Sequence, residues 1–64
     1  MKFRDLLRIV REDGWVHVRT TGGHLHFRHP SKPGILTVPS GGKEGRDVAP
    51  GTLRSILRQA GLVK

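Results

Sequence analysis

The chain has 64 residues, no cysteine, and twelve Lys plus Arg against five Asp plus Glu, a formal charge of +7. One domain of this size buries only roughly 60% of the surface its unfolded chain exposes, which excludes a deep substrate cavity and leaves a surface or shallow groove for any ligand. The lack of cysteine excludes a disulfide framework and a Cys-based zinc site, and no apolar run approaches the ~20 residues of a membrane helix.

No apolar signal-like segment opens the chain, so a soluble, cytoplasmic protein without membrane partners is expected. Eight of the twelve basic residues are Arg, the side chain suited to bidentate phosphate contacts. Nucleic acid is therefore the first partner to consider, ahead of a merely solvated basic surface or an acidic membrane or protein face.

In chain order, Phe3, Leu6, Leu7 and Val10 fall at i, i+3, i+4 and i+7, which predicts a helix over about residues 3–12 with one apolar stripe. Asp5 sits in its first turn, where the helix dipole favours an acid, and Gly14 ends it. Residues 15–20 alternate with period two. Val16, Val18 and Thr20 are expected on the buried face and His17 and Arg19 on the other, with Trp15 at the helix–strand junction. Thr21-Gly22-Gly23 is a turn, and His24–His29 a second strand with Leu25 and Phe27 inward and His24, His26 and Arg28 outward.

Pro30–Gly34 reads as a tight loop, Ile35–Val38 as a third strand ended by Pro39. Residues 40–47 are the longest irregular stretch and are expected to be the most mobile. Pro50 opens a second helix, with Leu53, Ile56, Leu57 and Ala60 as its stripe. Gly61 stops it, and Leu62 can fold back against it. The short connections between strands favour an antiparallel meander. The expectation is an α+β domain over residues 1–64, ordered α-β-β-β-α, with two helices on one face of a three-stranded antiparallel sheet. That order, with a basic surface, resembles the double-stranded-RNA-binding domain.

Three of the four histidines lie within residues 24–29. A surface histidine at a strand start is the plainer reading of His24 alone. A pair such as His24 and His26 on one strand face, joined by His17 or His29, also suits zinc, but the acids are few and none has obvious ligand spacing.

An ordered set of segments resembles the HicA-type toxins along nearly the whole chain. It runs Arg4-Asp5-Leu6-Leu7, Asp13-Gly14-Trp15, Arg19, Gly22-Gly23-His24, Phe27-Arg28-His29-Pro30, Val38-Pro39 and Pro50 through Gly61. The resemblance implies a toxin of a type II toxin–antitoxin system that cleaves mRNA without ribosome, metal or small-molecule cofactor, and a HicB-type antitoxin that covers the catalytic residue. That residue, by its place after the glycine turn, is His24. Many members have Ser where Gly23 stands and a second His where Leu25 stands, so neither group is available here.

The residue types fit that chemistry. RNA cleavage needs a base to take the 2′-hydroxyl proton, and histidine, with an ordinary pKa of about 6.5, serves at neutral pH for typically 10²–10⁴-fold. Gly22 and Gly23 allow a phosphate to approach their backbone N–H groups. Arg19, Arg28, Lys32, Lys43, Arg46, Arg54 and Arg58 are the candidate phosphate binders, although any one of them is as readily an ordinary solvated charge; Arg54 and Arg58, paired on one helix face, are the stronger candidates. His26, about 7 Å along the strand from His24, is a candidate RNA contact or proton donor. The proton donor to the leaving oxygen is not named by the sequence. The alternative function is a non-catalytic RNA-binding module whose histidines are incidental.

Overall fold

The stripe Phe3, Leu6, Leu7 and Val10 is buried along one side of α1 (Phe3–Asp13). The computed structural model describes residues 1–63 and continues through β1 (Val16–Thr21), β2 (His24–Arg28), β3 (Leu36–Val38) and α2 (Pro50–Gln59). The strands form one antiparallel sheet in the order β1-β2-β3. Residues directly opposite each other share a sheet face. Leu25 pairs with Val38 and Phe27 with Leu36, so these four line the inner face. They join the α1 stripe, Trp15, Val48, the α2 residues Leu53, Ile56 and Leu57, and Ala60 just after that helix in one core. Both helices therefore cover one side of the sheet, and the other side is left open.

Both helices end alike. Gly14 and Gly61 take positive φ (113° and 74°). The next residue in each case donates back to a carbonyl of the last turn, Trp15 N–H to Val10 O at 3.1 Å and Leu62 N–H to Leu57 O at 2.9 Å. This arrangement satisfies carbonyls a helix end leaves bare and folds an apolar side chain onto the core.

β1 departs from the expected alternation. A bulge lies between His17 and Arg19, with Val18 as the extra residue. His17 pairs with Phe27 and so faces inward, where its ring lies 5.5 Å from that of Phe27 and its Nε2 is 2.8 Å from Thr20 Oγ1. Val16 pairs with Arg28 and faces outward, 59% exposed. The physical reason is position: β1 is an edge strand, exposed along its length, so burial does not select apolar residues for its inner side. Arg19 still reaches the outer face, because the added residue shifts the parity.

The 40–47 segment, expected to be the most mobile, is bonded at both ends. Gly41 N–H donates to Gly23 O at 2.8 Å. Arg46 O and Glu44 O accept from Phe3 N–H (2.9 Å) and Arg4 N–H (3.1 Å), which caps the first turn of α1 with backbone where no side chain does so. Lys2 pairs with Asp47, and its Nζ donates to Gly45 O at 3.0 Å. These are backbone acceptors, which no pattern of side chains announces.

Candidate functional site

The open face of the sheet is built from the outward residues of β1 and β2. Thr21 pairs with His24, Arg19 with His26, and Val16 with Arg28; His26 also pairs with Thr37 of β3. The expected residues Arg19, His24, His26 and Arg28 are thus brought together on one surface. Gly22 and Gly23 close the hairpin at the end of this face with φ of 53° and 81°, the two-residue turn in which both positions need positive φ. Alanine there is strained by the backbone itself, whatever space surrounds it.

His24 is exposed, and its Nδ1 lies 3.3 Å from Gly22 O. A carbonyl only accepts, so this bond assigns the proton of the neutral ring to Nδ1 and leaves the Nε2 lone pair directed elsewhere. Among the described residues that second nitrogen has no partner, so the neutral ring can accept a proton there; Arg19 lies two residues along the same face and Arg28 at its far end. His26 is half-buried and bonded through Nδ1 to Thr37 Oγ1 at 3.1 Å. Thr37 was not among the expected site residues, since its role depends on strand register.

His29 is different. Its side chain is 7% exposed, stacked edge-on to Trp15 at 5.3 Å. Ser31 N–H donates to its Nδ1 at 3.0 Å, so the ring proton is on Nε2, which donates to Asp13 O at 2.8 Å. The approach to the end of α1 is close: a Cβ on Gly14 would stand 2.7 Å from Nε2.

Lys32, expected among the phosphate binders, lies with this part-buried cluster. Its Nζ donates to Asp13 Oδ2 at 2.5 Å and to Ala60 O at 2.9 Å, tying the ends of α1 and α2 together. Trp15 Nε1–H donates to the same Ala60 O at 3.3 Å. The hydrogen bond from Lys32 holds the Asp13 carboxyl below its ordinary value of 3.8, against partial burial, which pushes it up. Lys32 is committed to the fold and is absent from the open face.

The remaining basic candidates are scattered. Lys43 and Arg46 are exposed on the 40–47 segment, and Arg54 and Arg58 are exposed on α2, in the helical layer. An open groove of about 500 Å³ lies beside Arg54, lined by Leu53, Leu57 and Val63, and does not include His24. Among the described residues no three His, Asp or Glu side chains converge as a metal site. No described helix is long and apolar enough to cross a membrane.

A family model described as the HicA toxin of bacterial toxin–antitoxin matches residues 3–62. The chain belongs to the HicA toxin family. It is therefore a toxin of a toxin–antitoxin system, and the match spans every element from α1 to the end of α2. Comparison with curated proteins gives no match. Within this HicA chain, sequence reasoning also missed, besides Thr37, the contact of Gly41, whose N–H holds the Gly23 carbonyl. The only signal for it was a second Gly-Gly pair, which reads as a turn and nothing more.

Proposed function

We propose that this HicA chain is an endoribonuclease that cleaves mRNA independently of the ribosome and without metal, with His24 as its general base. The observation that carries the reading is the exposed His24 ring, whose Nδ1 lies 3.3 Å from Gly22 O and whose Nε2 has no partner among the described residues, beside the glycine turn. Nε2 takes the proton of a 2′-hydroxyl, and that oxygen attacks the adjacent phosphorus. The bond from phosphorus to the 5′-oxygen breaks. The products are a 2′,3′-cyclic phosphate and a 5′-hydroxyl end, the departing oxygen taking a proton from the exposed surroundings of the site.

Charge grows on the phosphate oxygens during this step. Arg19, two residues along the face from His24, supplies positive charge there, Arg28 holds the strand at the far end of the face, and the N–H groups of the Gly22-Gly23 turn are open to close approach. His26, oriented by Thr37, contacts the RNA from the same surface. Lys43, Arg46, Arg54 and Arg58 act at longer range, by drawing the strand toward a +7 chain in the cytoplasm. A HicB-type antitoxin inhibits by covering the open face and His24, with complementary charge against Arg19 and Arg28.

The test is expression and in-vitro cleavage with wild type and His24→Ala. Wild type is expected to arrest growth and cut RNA in excess chelator; the variant is expected to do neither while melting at the same temperature. Salt-sensitive RNA binding without cleavage by either form would instead support the non-catalytic module.

A further inference from the structure

We propose that Gly41 is a positioning residue for His24: its N–H, bonded to the Gly23 carbonyl, fixes the peptide on which His24 is carried. The inference rests on the nuclease reading only for its effect on rate. The peptide group joining Gly23 to His24 is planar, so holding the Gly23 oxygen also sets the direction of the His24 N–H and the start of β2. Gly41 donates to that oxygen at 2.8 Å. Gly22 and Gly23 are otherwise the most permissive residues available for the turn, and permissive residues need an outside restraint to hold one conformation.

The contact is too close for any other residue. A Cβ on Gly41 would stand 2.5 Å from Gly23 Cα, 2.8 Å from its oxygen and 2.9 Å from its carbonyl carbon, all backbone atoms that cannot swing aside. The clamp itself is anchored. Ser40 is fully buried, its N–H donates to Val38 O at 2.9 Å, and its carbonyl accepts from Lys43 N–H at 2.9 Å. Farther along, Glu44 and Arg46 hold the start of α1. The segment thus transmits the rigidity of β3 and α1 to the glycine turn. By contrast, a Cβ on Gly45 meets nothing within 4 Å, and its φ is not positive.

Amide exchange of the wild type, imidazole NMR and steady-state cleavage by Gly41→Ala and Gly45→Ala test this. We expect the Gly41 amide to be protected in the wild type. Gly41→Ala should shift the His24 ring resonances and lower kcat about 10–100-fold with little change in KM, because a misplacement near 1 Å at a reacting group costs about that much. Gly45→Ala should match the wild type in both. A Gly41 amide that exchanges as freely as an exposed loop overturns the proposal even if Gly41→Ala does not fold. So does a folded Gly41→Ala protein with wild-type His24 resonances. If the wild type cuts no RNA, the nuclease reading fails, while the exchange and ring resonances still decide the clamp.

Discussion

His29 gives both ring nitrogens to the protein, one to Asp13 O and one to Ser31 N–H, whereas His24, five residues earlier, gives one nitrogen to Gly22 O and keeps the other free. The two stand on opposite faces of the same strand line. His29 lies where α1, the loop after β2 and α2 converge, packed on Trp15 and flanked by the Asp13–Lys32 pair. His24 lies beyond the core, on a turn of two glycines. The contrast shows how one residue type serves two ends: a ring with both nitrogens used and little solvent is a brace, and a ring with one nitrogen spare and solvent access is available for proton transfer.

Substitution should separate the two. His24→Ala is expected to lower cleavage by about 10²–10⁴-fold, measured as kcat/KM on a fixed RNA, with no loss of melting temperature. His29→Ala should do the reverse. It leaves the part-buried Asp13 carbonyl without its donor and removes the packing on Trp15, and is expected to cost roughly 1–3 kcal/mol in denaturant unfolding, while the rate per folded chain is unchanged. Loss of rate at His29 with full stability would undo the comparison.

Acid sharpens the brace end. The folded pKa of Asp13 is lowered, chiefly by the Lys32 hydrogen bond, so its contribution to stability is complete above the ordinary value of 3.8. That contribution is lost as pH falls through the lower, folded value. Lys32→Met removes the bond, so the variant is expected to be less stable than wild type at about pH 7, with the difference shrinking as pH falls below the ordinary carboxylate value in urea titrations. A constant difference between the two would mean that Lys32 acts through Ala60 O alone.

The smallest effects concern the basic residues. Arg19→Ala and Arg28→Ala on the open face should each reduce the salt slope of RNA binding by about one, whatever the sequence bound. Arg54→Ala and Arg58→Ala, in the helical layer, should change it less. Equal slopes for all four variants would spread the RNA surface around both sides of the sheet.

Much of this was legible in the residues. The helix stripes at Phe3–Val10 and Leu53–Ala60, the stops at Gly14 and Gly61, and the inward Leu25 and Phe27 follow from periodicity and backbone freedom, which are local properties. The inward turn of His17 was not legible. It depends on a bulge at Val18 and on β1 lying at an edge, both of which are matters of pairing. Nor was the fate of Lys32, because its partners Asp13 and Ala60 are distant in sequence and one of them is a backbone carbonyl. The grip of the 40–47 segment on Gly23 and on α1 was hidden for the same reason: main-chain bonds leave little mark on composition.

The most direct measurement of the central claim, that His24 draws its proton from a 2′-hydroxyl, is cleavage of an RNA carrying a single 2′-deoxy nucleotide on the 5′ side of a mapped scissile bond. Cleavage at that bond should disappear while unmodified sites are still cut, with 2′,3′-cyclic phosphate ends at those sites. Cutting at the deoxy position at the unmodified rate would contradict the mechanism.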